Sequence, residues 1–257
     1  MGIRTEEVVS FREAFQKSGV TSIDAFLEHR KEFLDIGKIA IAENLIPFEN
    51  EENLFPPQND WYGYLLDRLN ARPDEFQYNK LTVITFNYDR SLEWYLFTAL
   101  QNRFGLEPNK VIELLSFIPI IHVHGNLGNL PWINQGRAFT TRVAWTDVKV
   151  AREKIKIIHE NIEHDHEFYL AQEAFKSAEI IIFLGFGYNR TNLKRLGLKT
   201  FKNVRIIGSA FGLTEREQRT AYSLFRSENT GARTFGNSDW DVLKFLREMI
   251  DLEDNKK

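Results

Sequence analysis

Asn87 and Asp89, two residues apart, and His124, directly before Gly125, are the side chains of this sequence best suited to chemistry. Polar groups fixed at the tips of strands can stabilise developing charge without reorganising, and an imidazole near its unperturbed pKa of ~6.5 suits general-base work at neutral pH. His122 stands two residues before His124, on the same face of an extended chain. Gly185 and Gly187 flank Phe186 and precede Tyr188, and the missing Cβ atoms let a ligand phosphate approach the backbone. Gly208 and Ser209 follow a further apolar run in the same manner.

These residues require strands to carry them. Residues 81–85 form a short apolar, β-branched run of the kind buried on both faces of a sheet, and helical spacing begins at Asp89. Similar runs at 118–124, 179–184 and 204–207 end at His124, Gly185 and Gly208. Residues 5–17, 23–34, 36–45 and a segment from Trp61 to Leu69 repeat apolar positions at helical spacing, so the first ~75 residues read as helical. Thr21 or Ser22 is a candidate cap, Pro47 a stop, and 49–59 a loop. Helices are expected at 90–104, from Pro108 to about Phe117, and at 147–163 and 167–176. Thr214 with Glu217 makes a capping box for a helix through Phe225, and Ser238 or Asp239 opens the last one, through Met249. Four buried strands separated by helices predict an α/β chain. The expected architecture is a Rossmann-like, mostly parallel sheet flanked by helices, with a helical N-terminal part. A single domain over residues 1–257 is expected, with a helical subregion at about 1–75 and an irregular insert at about 126–146. Parallel strands put their carboxyl ends on one edge, so Asn87, Asp89, His124 and the Gly185 turn line one crevice if their strands are neighbours.

Composition narrows the function classes. The chain has 257 residues and 43% hydrophobic content, enough for a substantial core. Its net charge of -3, from 33 basic and 36 acidic residues, supplies no field that gathers nucleic acid, so nucleic-acid binding is not expected. With no cysteine there is neither a thiolate nucleophile nor a Cys-ligated zinc. The first ten residues are charged and mixed, and no apolar run approaches the ~20 residues of a membrane span, which leads us to expect a cytoplasmic protein with no membrane partner.

The residues 85–89, TFNYD, resemble the sirtuin pattern T-x-N-x-D; His124-Gly125 resembles its HG, and Gly185 to Tyr188 occupies the place of its later dinucleotide-binding turn. The stretches SIDAFL, DIGKIAIAE and ITFNYDRSLEW are similar to the sirtuin-like domains of bacterial anti-phage defence proteins, which hydrolyse NAD. The resemblance spans roughly residues 11–211 and implies an NAD glycohydrolase, converting NAD to ADP-ribose and nicotinamide. Asn87 would position the nicotinamide ribose and water, Asp89 would hold the carboxamide, and His124 would be the base. The resemblance also implies ligand contacts at Thr85, Gly125, Gly185, Phe186, Gly187, Tyr188, Gly208 and Ser209. Nicotinamide leaves as a neutral group, so no strong acid is needed.

Two departures shape the expectation. Without cysteines the sirtuin zinc module cannot form, which argues against a typical peptide deacetylase and for chemistry with no zinc. Such domains open with a strand and a G-A-G-x-S pyrophosphate loop, whereas residues 1–11 contain only Gly2 and no preceding strand. The chain is therefore expected to be either shortened at its N-terminus or incomplete in its pocket. That keeps open a catalytically impaired NAD- or ADP-ribose-binding or interaction module, and more weakly an NAD-dependent deacylase. NAD or ADP-ribose is the expected partner, with a homo-oligomer or a defence-system partner protein left open.

Plainer readings stand beside these. Asp89 can be a helix cap, Asn87 a turn residue, His122 and His124 hydrogen-bonded core histidines, and Gly185 and Gly187 turn residues. His159, Glu163, His164, Asp165, His166 and Glu167 form an acidic histidine cluster better read as a solvated helix end than as a metal site. Asn189 and Asn192 could reach the ligand ribose, though helix initiation explains them as well, and Arg137 and Arg142 could contact phosphate, with surface solvation the better reading.

Overall fold

Short apolar runs alternating with amphipathic segments give an α/β chain. The computed structural model describes residues 4–58, 60–69, 72–134, 136–157, 165–197, 204–225 and 232–250. In chain order the elements are α1 (Thr5–Lys17), α2 (Ile23–His29), α3 (Leu34–Leu45), α4 (Glu51–Leu54), α5 (Trp61–Arg68), β1 (Val83–Thr85), α6 (Ser91–Phe104), α7 (Pro108–Leu115), β2 (Ile120–His122), α8 (Trp145–Lys154), α9 (His166–Ser177), β3 (Ile180–Phe183), α10 (Arg190–Arg195), β4 (Arg205–Gly208), α11 (Glu215–Leu224), β5 (Arg233–Phe235) and α12 (Val242–Met249). Among the described residues no helix is long and apolar enough to cross a membrane.

The chain divides into two compact units. The first comprises residues 1–56, 83–116 and 120–165. Its sheet is the parallel pair β1–β2, with Val83 opposite Ile120, Ile84 opposite Ile121 and Thr85 opposite His122. A parallel pair needs a long crossover, and α6 and α7 supply it. Phe11, Phe26, Leu27, Ile39 and Ile46 from the N-terminal helices share a core with Tyr88, Leu127, Val148 and Ile155. Burial of side chains this size contributes about 1.5–3 kcal/mol each.

The second unit comprises 57–82, 117–119 and 166–257. It holds a three-stranded parallel sheet of order β3-β4-β5, with α10 and α11 as crossovers. Successive side chains of a strand alternate between faces. Ile182 and Ile207, paired in register, pack with Tyr64 of α5 and with Phe245 and Leu246 of α12, while Phe183 joins Tyr188, Phe225 and Phe235 in an aromatic cluster.

Several sequence expectations need correction. The strands form two sheets in two units, and β5, a run of only Arg-Thr-Phe, has no apolar signature. The β1 residues are half-buried rather than buried on both faces. Within 49–59, Asn50 accepts a hydrogen bond from the Glu52 N–H and starts the single turn α4. Ser22 makes no capping bond, and the helix expected over 23–34 breaks at Arg30 before a 3-10 turn, Lys31–Phe33. The last helix starts later than expected, where the Asp241 side chain accepts from the Lys244 N–H. The helix expected over 147–163 ends at Lys154, where Ile155 turns to extended backbone, and residues 158–163 lie outside the described residues.

Candidate functional site

Because Thr85 and His122 are register partners in neighbouring parallel strands, Asn87 and His124 each follow by two residues at the same carboxyl edge. The Thr85 hydroxyl accepts a hydrogen bond from the Asn87 N–H at 3.1 Å, and the Val123 N–H donates to the Thr85 carbonyl at 3.0 Å. Asn87 is exposed. Tyr88 turns inward, its hydroxyl donating to Asp24 Oδ1 at 2.5 Å while its carbonyl accepts from the Leu127 N–H. Asp89 accepts from the Ser91 N–H at 3.1 Å, so one carboxylate oxygen is committed to the start of α6.

His124 is buried and meets the Phe86 ring edge-on, centroids 5.4 Å apart. Its carbonyl accepts from the Lys156 N–H. Gly125 has φ +71°, and a Cβ there would run into the Lys154 carbonyl at the end of α8. The turn after His124 is thus seated against α8, and only glycine fits the seat.

His122 is held through both of its ring nitrogens. Its Nδ1 lies 3.0 Å from the Asn87 carbonyl oxygen and its Nε2 2.6 Å from Glu93 Oε1. Burial pushes the ring's pKa down, but the hydrogen bond and charge of Glu93, the Asn87 carbonyl and the charge of Asp89 together outweigh it, so the net shift is upward. Glu93 lies in the first turn of α6, where the helix dipole also favours an anion.

A buried ion network backs this edge. Arg90, fully buried, pairs with Glu49 through Nε to Oε1 at 2.8 Å and Nη2 to Oε2 at 2.6 Å. It also donates to the carbonyls of Gly128, Asn129, Arg137 and Ala138. Arg137 is not the surface group expected from the sequence: it is 5% exposed, sits 2.8 Å from Glu49 and donates to the Leu127 carbonyl. Burial, then the charge of Arg90, pushes its pKa down against the pull of Glu49. The irregular segment after Gly125 is therefore pinned by two arginines through its own carbonyls. Arg142 is exposed, as expected.

The remaining sequence candidates belong to the second unit. Gly185 (φ +58°) and Gly187 have open space where a Cβ would stand. The Gly185 N–H donates to Ser209 Oγ at 2.8 Å, which ties the β3 tip to the β4 tip. Gly208 is flanked in register by Phe183 and Phe235, and its missing side chain makes room for the Tyr188 ring, whose hydroxyl donates to the Ser209 carbonyl at 2.7 Å. Tyr188 is held in the left-handed region at φ +50°, and burial pushes its phenol up. Phe186 packs against both Phe183 and Tyr188. Asn189 caps α10, as a helix initiator should. Of the acidic histidine cluster, His159, Glu163 and His164 lie outside the described residues; Asp165 pairs with Lys156 at 3.2 Å, and His166 and Glu167 open α9.

The structure therefore brings Thr85, Asn87, Asp89, His124 and Gly125 to one strand edge of the first unit, and Gly185, Phe186, Gly187, Tyr188, Gly208 and Ser209 to the strand tips of the second. Sequence reasoning missed Glu93, Glu49 and Arg90. Glu93 could have been found from its place in the first turn of the helix after Asp89, where the helix dipole favours an acid. Comparisons with family models, with curated proteins and with solved structures give no match to this chain.

Proposed function

We propose that this chain is an NAD glycohydrolase of a bacterial anti-phage defence system, acting in the cytoplasm on a Rossmann-like scaffold. One observation carries the reading: Asn87 and His124 stand at the same edge of two register-paired parallel strands, beside Asp89 and Gly125. The helical crossovers and all-parallel sheets support the Rossmann-like part.

On this reading Asn87, exposed on a main chain held at both its N–H and its carbonyl, orients the nicotinamide ribose and water. The C1′–N bond to nicotinamide breaks, its electron pair leaving with neutral nicotinamide, and water adds at C1′. His124 accepts the proton released from water or from a ribose hydroxyl. Asp89 holds the carboxamide. Fixed dipoles at the strand tips stabilise the oxocarbenium character without reorganising. Incubating the chain with NAD and following nicotinamide release tests the proposal, and equal inertness of wild type and His124→Ala would overturn it.

A second reading, a module that binds NAD or ADP-ribose without turnover, is favoured by two engaged groups: the Gly185 N–H already serves Ser209, and Asp89 already serves Ser91. Calorimetric titration with ADP-ribose separates the two, since binding without nicotinamide release selects the module. A second copy of the chain or a defence-system protein is the further partner consistent with either.

A further inference from the structure

Both ring nitrogens of His122 face groups that only accept: the Asn87 carbonyl at Nδ1 and the Glu93 carboxylate at Nε2. A neutral imidazole has one N–H, so in that form one of the two contacts would set lone pair against lone pair. The arrangement is satisfied in full when the ring carries both protons. His122 and Glu93 are 7% and 19% exposed, which leaves little room for water to substitute. The charged groups acting on the ring are Glu93 from α6 and Asp89 from the β1–α6 loop, both anionic.

We propose that Glu93 and His122 form an imidazolium–carboxylate clamp that holds the Asn87 main chain and thereby sets where the Asn87 side chain stands at the strand edge. With both nitrogens occupied, His122 has none for a substrate; it is a positioning residue, and His124 keeps the role of base. The link to catalysis rests on the NAD glycohydrolase reading, whereas the clamp itself does not.

The test uses the full chain with ring-nitrogen-labelled histidine at about pH 8, above the ordinary histidine pKa of ~6.5. His122, assigned by the signal lost in His122→Gln, is expected to show both ring nitrogens protonated. In Glu93→Gln it is expected to keep the proton on Nδ1 alone, with a shifted Asn87 amide signal. Nicotinamide release by folded Glu93→Gln is expected to lose roughly a hundredfold in kcat, the scale of a small misplacement of a positioning group, with KM nearly unchanged. A His122 ring that is neutral at this pH in wild type overturns the clamp whether or not the variants fold, and so does an Asn87 signal unmoved in Glu93→Gln. Full kcat in Glu93→Gln overturns its link to catalysis. If wild type releases no nicotinamide, the glycohydrolase reading falls, and the ring-nitrogen and Asn87 signals still decide the clamp.

Discussion

Glu49 and Arg90 meet through two parallel hydrogen bonds of 2.8 and 2.6 Å with no more than 2% of either side chain exposed, and Arg137 completes the group at 2.8 Å from the same carboxylate. A single carboxylate neutralises part of the charge of two buried guanidinium groups. Taking it away leaves both uncompensated, and the penalty for one partner lost from a buried pair is about 3–5 kcal/mol. Glu49→Gln is therefore expected to lower the unfolding free energy by roughly that amount in denaturant titrations. Disrupting the exposed Lys110–Glu113 pair by Lys110→Ala, at 46% and 57% exposure, should cost under about 1 kcal/mol. Equal effects would mean that the buried group does not pin the segment after Gly125.

The raised pKa of His122 fixes the sign of a pH effect. The folded state holds this proton more tightly than the unfolded chain, so the added stability is complete below the unfolded value of ~6.5 and is lost as pH rises through the higher folded value. Denaturation midpoints measured in steps upward from about pH 6 should fall across that window. In Glu93→Gln the decline should vanish or reverse, because burial, which opposes the charged ring, then acts without its chief counterweight. A midpoint that rises through the window would contradict the sign.

Gly208 and Gly187 separate packing from ligand access. A Cβ at Gly208 would collide with the Tyr188 hydroxyl and the Phe235 ring, so Gly208→Ala is expected to cost about 1–3 kcal/mol in thermal or denaturant unfolding. Gly187 faces open space, and Gly187→Ala should stay within about 0.5 kcal/mol of wild type. If the turn receives a dinucleotide, the same alanine should weaken ADP-ribose binding measured by calorimetry. Unchanged affinity would mean that this turn does not contact the ligand.

How far the sequence reveals this fold depends on what each signal measures. The limits of α1 and the reciprocal Thr214–Glu217 cap were legible because periodicity and capping are local. The apolar runs located β1 to β4, but a run says nothing about its neighbour, so the separation into β1–β2 and β3-β4-β5 was not visible. Arg-Thr-Phe at β5 forms a strand by pairing beside β4, a tertiary effect with no pattern of its own. The burial of Arg90 and Arg137 was hidden for a related reason. A charged residue reads as surface until the partners that compensate it are known, and Glu49 and Arg90 are 41 residues apart. Asn87 and His124 were legible as strand-tip residues, whereas the clamp from His122 to Glu93 depends on β2 lying beside the start of α6.

The shared edge of β1 and β2 can be tested at its exposed member. Asn87 is solvent-facing, and its main-chain bonds to Thr85 and His122 do not involve its side chain. Asn87→Ala should therefore stay within about 0.5 kcal/mol of wild-type stability. On the glycohydrolase reading, nicotinamide release should nevertheless fall steeply, which separates a chemical role from a folding one. His124→Ala removes a buried ring against Phe86, so its folding must be measured alongside its activity. If His124 is the base of the proposed hydrolysis, the variant, corrected for the folded fraction, should lose about 10²–10⁴-fold in nicotinamide release, the usual contribution of a general base. If Asn87→Ala turns over NAD as wild type does, the reacting ribose does not sit at this edge, however close the two strand tips are.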